Sequence, residues 1–191
     1  RELGRDLEIE INGGTYQAST AAQSFTGALT ISSGTFTGSS GGVDVDTNLT
    51  LSGGTLTAPS GTFTVGNNWS KTGGTFTPGT NRVTFDEAGS GNTQTLDSGG
   101  TSFYNITHSG TGTLQLTTSN LTVTNDFTNS AGTFDLNDKN WTMTGATFSN
   151  SGTISLKSSE TLTGVTQDTD SGTWTYVGDG DGVADTFTIT D

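Results

Sequence analysis

The chain has 191 residues, a formal net charge of −13 at pH 7 and 28% hydrophobic residues. Six Lys and Arg against 19 Asp and Glu argue against a nucleic-acid partner, because phosphate neutralisation requires a basic surface. No apolar run approaches the roughly 20 residues of a membrane span, so no membrane insertion is expected. Such a composition is typical of a disordered chain unless its apolar residues recur in phase.

A Gly-Thr dipeptide recurs every 20 residues in two series, and this gives the chain the regular period that a disordered sequence lacks. The second series equals the first shifted by 98 residues, which predicts one domain over residues 1–191 built from two near-copies of a 98-residue block. A fixed period of this length is typical of a solenoid. The glycines are Gly14, Gly34, Gly54 and Gly74, then Gly112, Gly132, Gly152 and Gly172.

The chain opens with an alternating segment, residues 6–11, that predicts a strand with Leu7, Ile9 and Ile11 facing a core. Residues 48–67 then show a complete rung, meaning one full turn of the coil. Three short alternating stretches are separated by Gly, Pro, Ser and Asn corners. The fold predicted is all-β, a right-handed parallel β-helix of about 20 residues per rung and roughly nine rungs.

Apolar columns are expected to run along this helix. Leu29, Leu49 and Trp69 are predicted to continue as Leu121 and Trp141. A second column is predicted to run through Phe36, Leu56 and Phe76, then Leu114, Phe134, Ile154 and Trp174. Residues 77–111 are interpreted as two slightly short rungs, and the 21-residue spacing of Phe127 and Phe148 predicts a β-bulge. The first column is predicted from the 20-residue spacing of Leu29, Leu49 and Trp69.

Threonines of the first half form T-x-T steps that are predicted to stack into two ladders on one flat face. This array resembles the outward threonines of ice-binding β-helices, and the resemblance implies an ice-binding or surface-binding face. Threonine is also a favoured exposed strand residue, so a plain solvent face is the alternative. The residues are Thr35, Thr37, Thr55, Thr57, Thr75 and Thr77.

Five N-x-S/T sequons are candidate glycosylation sites, and four of them are predicted to be one corner repeated. Asparagine at a corner tolerates a left-handed φ and can stack its amide on the next rung, which explains the recurrence without a glycan. The asparagines are Asn48, Asn68, Asn105, Asn120 and Asn140.

Near the end of the chain, residues 178–185 resemble part of the D-x-D-x-D-G-x-x-D calcium loops of extracellular repeats. The resemblance implies Ca²⁺ at Asp179, Asp181 and Asp185, since hard oxygen ligands suit that ion. Val177 stands where the first aspartate of the pattern is expected, and a plain acidic turn is the alternative. No other cofactor is expected.

Several parallel β-helix families are carbohydrate lyases and hydrolases, whose chemistry requires carboxylates clustered with basic groups. The single histidine, His108, has no acidic neighbour in sequence, and the six basic residues are scattered. We therefore expect no catalytic residues, and we interpret His108 as an exposed strand residue.

In composition and repeat pattern, the coils resemble the Thr/Gly/Asn-rich β-solenoid segments of bacterial and archaeal surface proteins such as adhesin passenger domains. That resemblance implies an extracellular or cell-surface role without enzymatic activity. The leading hypothesis is a filament or surface-fibre subunit that polymerises with itself head to tail. Its end strands would supply Leu7, Ile9 and Ile11 at one end and Phe187 and Ile189 at the other. The alternative is a non-enzymatic adhesin or an ice-binding β-helix.

Overall fold

The computed structural model describes residues 8–87, 89–145, 147–166 and 171–190, and the regular elements within them are strands. In chain order these are β1 (Ile9–Gln17), β2 (Gln23–Phe25), β3 (Leu29–Thr37), β4 (Val43–Val45), β5 (Leu49–Leu51), β6 (Thr55–Thr57), β7 (Phe63–Val65), β8 (Trp69–Lys71), β9 (Thr75–Thr77), β10 (Arg82–Phe85), β11 (Thr93–Asp97), β12 (Asn105–His108), β13 (Thr113–Leu116), β14 (Leu121–Val123), β15 (Asp126–Asn129), β16 (Thr133–Asp135), β17 (Trp141–Met143), β18 (Thr147–Asn150), β19 (Thr153–Leu156), β20 (Thr161–Thr163), β21 (Thr173–Tyr176) and β22 (Thr188–Thr190).

The strands stack into three parallel sides of a coil with about eight turns and about 20 residues per rung. The first side comprises the early parts of β1 and β3, then β5, β8, β11, β13, β16, β19 and β21. The second side comprises the later parts of β1 and β3, then β6, β9, β14, β17, β20 and β22. The third side runs from β2 to β18 through β4, β7, β10, β12 and β15. This arrangement confirms the predicted parallel β-solenoid.

Inward side chains fill the coil rung by rung, which explains how a chain with few apolar residues holds a core. Trp69 lies between successive rungs, with ring centroids 4.9 Å from Phe76 and 5.1 Å from Phe103. Higher in the coil, Phe127 lies 4.7 Å from Phe134. Rings from different sides of the coil thus pack against one another in its interior, so little apolar material is needed.

The strand register corrects the predicted columns. Leu96 pairs with Trp69 below and with Leu116 above, so the column of Leu29 and Leu49 continues into Leu96 and Leu116 on the first side. Leu121 and Trp141, predicted to continue that column, lie on the second side. Leu114, predicted for the second-side column of Phe76, lies on the first side. On the second side, an isolated bridge joins Phe103 to Val123 of β14, and the ring of Phe103 lies 5.3 Å from that of Phe76 in β9.

As a result, the two Gly-Thr series stack at different corners. Gly34, Gly54 and Gly74 separate the first side from the second, and they stack as predicted. Gly112 and Gly132 separate the third side from the first. Residues 98 apart in sequence therefore occupy different positions around the coil.

A single long rung causes this change of phase. Leu96 pairs with Trp69 at a separation of 27 residues, and the additional residues lie between β10 and β11. The predicted two short rungs are therefore wrong. Where the ladder is shifted, the buried Gln94 side chain donates to the carbonyl oxygens of Val65 and Asn67 at 2.7 and 2.5 Å.

The predicted bulge near Phe148 is also wrong. β15 and β18 pair without a register shift, with Phe127 opposite Phe148. The extra residue lies at the corner before β18, because Met143 and Thr147 enclose one residue more than Val123 and Asp126 do. A corner absorbs a length change without breaking strand hydrogen bonds, which is the physical reason that the strands stay in register.

Candidate functional site

The threonine face lies on the second side, at its early end. Register places Thr35, Thr55 and Thr75 in one ladder and Thr37, Thr57 and Thr77 in another. Thr75 and Thr77 are exposed and the other four are half-buried. In extended strands the two ladders are separated by roughly 6.6 Å, and neighbouring rungs by about 4.8 Å. The chain thus presents a flat, regular array of hydroxyl and methyl groups.

A third threonine ladder was missed by the sequence analysis because the two halves differ in phase. It runs along the first side, next to the positions of Gln115, Asp135 and Ser155. Those three residues lie on another side of the coil, so they do not interrupt the threonine face. The ladder comprises Thr93, Thr113, Thr133, Thr153 and Thr173.

The late end of the coil carries the exposed apolar side chains. Three large hydrophobic side chains are exposed in the described part of the chain: Tyr176 (47%), Val177 (61%) and Val183 (72%). The ring of Tyr176 lies 4.7 Å from that of the half-buried Phe187. The backbone of Ile189 pairs with Leu162 in the second side.

The early end of the coil is the outer edge of β1. Ile11 is buried and Ile9 is half-buried, and both pair with β3 on one edge only within the described residues. Glu8 and Glu10 flank Ile9 and are exposed. Leu7, the remaining residue predicted for this strand, lies outside the described residues.

Asp179, Asp181 and Asp185 lie in the loop between β21 and β22. Asp179 accepts a hydrogen bond from the Asp181 amide at 2.9 Å, and Asp181 accepts one from the Val183 amide at 2.7 Å. Partial desolvation, followed by the charges of Asp179, Asp181 and Glu160, raises the pKa of Asp185. Within the described residues, no group of three or more acidic, histidine or cysteine side chains is arranged to hold a metal ion. Calcium binding at these residues stays a prediction.

A second acidic cluster lies on the corner that follows the third side. Asp44 and Asp46 come from the rung of β4, and Asp86 and Glu87 come from two rungs later, where they line the same shallow groove. Burial, and then the neighbouring carboxylates, raises the pKa of Asp44 and of Asp86. The 40-residue spacing of Asp46 and Asp86, twice the period, was the available sequence signal.

The five sequon asparagines have a structural use between rungs. The side-chain oxygen of Asn48 accepts from the Asn68 amide, and those of Asn120 and Asn140 accept from the amides of Asn140 and Thr161 at 2.9 and 2.8 Å. Asn68 and Asn105 bond the next rung likewise. The predicted contact of these side chains with the next rung is confirmed, and it is made through main-chain N–H donors.

Two other expectations about these asparagines are wrong. Asn48 precedes a first-side strand and Asn120 a second-side strand, so they do not share a corner. None of the five has a positive φ, since the only described non-glycine residues with one are Asn137 and Asp138. Asn120 and Asn140 are the two exposed sequon asparagines. Glycosylation of any of the five stays a prediction.

His108 is buried, with 1% of its surface exposed, which corrects its interpretation as an exposed residue. It continues the inward column of Phe85, and its Nδ1 lies 2.8 Å from Oδ1 of Asn129. Asn129 in turn donates to Oδ1 of Asn150 at 2.8 Å. The apolar column therefore becomes a polar His-Asn-Asn ladder after the long rung. The phase change concealed this ladder from the sequence analysis.

Glu160 is a second buried polar group that the sequence did not indicate. Its side-chain oxygens accept hydrogen bonds from the amides of Asp138, Lys157 and Ser158, at 3.1, 2.8 and 2.9 Å. A buried carboxylate is tolerated where several donors satisfy it. Glu160 thus fixes the corner between β19 and β20 and is fully used by the fold.

The buried histidine predicts a pH-dependent stability. Burial lowers the pKa of His108 below its ordinary value of 6.5, and the Asn129 hydrogen bond offsets this only in part. The neutral ring is therefore favoured in the fold, so the stability is complete above pH 6.5 and declines as the pH falls below it. The slope approaches about 1.4 kcal/mol per pH unit.

Chemical denaturation between pH 7.5 and 5.5 measures this slope. The matched control is His108→Gln, which keeps a polar side chain and removes the titrating group. The wild-type protein is expected to lose more stability than the variant over this range. Parallel curves for the two proteins would refute a buried neutral histidine.

Comparison with known proteins finds no matching family model, no matching curated protein and no matching solved structure. The part of the chain that the structure describes has no helix long and apolar enough to cross a membrane.

Proposed function

We propose that the protein is the structural subunit of an extracellular filament or surface fibre, without enzymatic activity, and that its partner is a second copy of itself. The observation that carries the proposal is that β1 and β21 lie at opposite ends of one rod and, within the described residues, each pairs with a neighbouring strand on one edge. Exposed apolar residues are concentrated at one of those ends. An unpaired parallel edge is a template for another strand.

The sides of the rod support a structural role. Among the described residues, Lys157 pairs with Asp138 of the neighbouring rung at 3.4 Å, and Arg82 pairs with Asp126 two rungs away at 3.6 Å. These basic groups serve packing between rungs, and His108 is enclosed in the core. The proposal therefore assigns no group of this part of the chain to catalysis.

A variant at the late end tests the proposal. Val177→Asp adds a charge at a 61% exposed position, so the fold is expected to tolerate it and assembly to weaken. Thr142→Asp, on the second side two rungs before the last strand β22, is the control. Sedimentation velocity over a concentration series should show wild-type and Thr142→Asp polymers and a largely monomeric Val177→Asp. Equal polymerisation of all three would count against end-to-end contacts.

Salt should strengthen assembly. Glu8 and Glu10 are exposed at one end and Asp179 and Asp181 at the other, so joined ends bring like charges together. Screening reduces that repulsion.

The second candidate is an adhesin or ice-binding rod, favoured by the in-register threonine ladders of the second side. Thermal hysteresis of a dilute solution tests the ice-binding form. Replacing Thr55 and Thr57 by lysine should abolish it if that face binds ice, whereas the same change at Thr133 should not. An absence of hysteresis in the wild-type protein removes ice binding from consideration.

A further inference from the structure

The register of the rungs indicates how two copies meet. One inward column of the first side begins at Ile9 and ends at Tyr176. Each adjacent pair that the ladder joins is parallel and in line, from Ile9 with Leu29 to Leu156 with Tyr176. The complete column is Ile9, Leu29, Leu49, Trp69, Leu96, Leu116, Leu136, Leu156 and Tyr176.

The two end members of this column are incompletely covered, unlike those between them. Tyr176 is 47% exposed and Ile9 is half-buried, whereas Leu29, Leu49 and Leu156 are fully buried. Within the described residues, β21 pairs with β19 on one edge and β1 pairs with β3 on one edge. In a parallel stack, the outer edges of the first and last strands are complementary, because each is the edge that an interior strand would present to its next neighbour.

We propose that β1 of a second copy adds to β21 as the next parallel strand of the first side, with Ile9 over Tyr176. This inference rests on the proposed function and specifies the contact that it requires. The same register places Glu8 over Thr175 and Glu10 over the exposed Val177. The joint covers the ring of Tyr176 with an aliphatic side chain, as Leu96 covers Trp69 inside the coil.

A cysteine pair tests this register directly, because the chain contains no cysteine of its own. Glu8→Cys and Thr175→Cys are introduced into one chain. Both positions face outward, and they lie at opposite ends of a coil with about eight turns. At about 4.8 Å per rung they are nearly 40 Å apart, so no disulfide can form within one molecule.

The control pair is Glu8→Cys with Thr173→Cys, displaced by two residues on the same strand face. That displacement adds roughly 6.6 Å along the strand, beyond the reach of a disulfide. After mild oxidation, the first pair is expected to give a ladder of covalent oligomers on a non-reducing gel and the control pair only monomer. Reduction should collapse the ladder.

The outcomes separate the joint from the filament. Cross-linking of the control pair would overturn the proposed register. So would the absence of cross-linking in both pairs while sedimentation still shows polymers. Neither result would contradict the filament itself. The absence of polymers in the cysteine-free protein at high concentration and high salt would overturn the proposed function, and the joint with it.

Discussion

Phe134→Ala is expected to destabilise the protein by about 3–5 kcal/mol. The Phe134 side chain is fully buried, and its ring lies 4.7 Å from Phe127 and 5.3 Å from Trp141. Each rung contributes few core side chains, so neighbouring residues cannot collapse into the space that is left. Phe76→Ala, in the first half, should behave similarly.

Chemical denaturation measures this effect, with Thr57→Ala as the surface control. Thr57 faces outward from β6, and its replacement should change stability by less than about 0.5 kcal/mol. Similar unfolding midpoints for Phe134→Ala and Thr57→Ala would contradict the assignment of inward and outward positions.

Gly54→Ala is expected to destabilise the fold by roughly 3–5 kcal/mol, which combines backbone strain with a steric clash. Gly54 has a φ of +64°, and an added Cβ would lie 2.3 Å from the Gly34 carbonyl oxygen of the preceding rung. That oxygen belongs to the backbone, so relief requires the two rungs to separate locally.

Gly79→Ala is the matched control for Gly54→Ala. Gly79 has a similar φ of +57°, but an added Cβ would meet no atom within 4 Å. Only the conformational strain applies there, about 1–2 kcal/mol. The difference between the two variants, from thermal or chemical unfolding, therefore isolates the close stacking of rungs. Equal losses would show that the corners do not stack as described.

The period of the chain was sufficient to predict the fold. Alternation around Leu49, Leu56 and Phe63 located three strands per rung, and the structure places all three there. The stacking of Gly34, Gly54 and Gly74 followed from the same period. These features are local, because each rung is paired with its neighbour at a constant separation.

The relation between the two halves could not be read in the same way. Additional residues between β10 and β11 lengthen one rung, so the later Gly-Thr steps lie at another corner, and Leu114 and Leu121 lie on sides other than those predicted. The Gly-Thr step contains no information about which corner it occupies, since any corner tolerates it. This phase change is why His108 was placed on the surface, although it follows Phe85 in an inward column.

The position of a candidate site could be predicted from the sequence only where the register of its rungs could be predicted. The threonine face lies within the regular first half, and its six residues are in line as expected. The groove formed by Asp46 and Asp86 required knowledge of a three-dimensional corner, and it was missed. Sequence indicated the end strands, whereas the exposed side chains of Tyr176 and Val177 became visible only in the structure.

Electron microscopy of the purified protein in high salt tests the filament most directly. Head-to-tail assembly predicts unbranched fibres one rod wide, in which subunits with a coil of about eight turns repeat along the axis. Each subunit should contribute roughly 40 Å of length at about 4.8 Å per rung. Isolated short rods at every concentration would contradict head-to-tail assembly. Sheets of rods associated side by side without end contacts would contradict it as well.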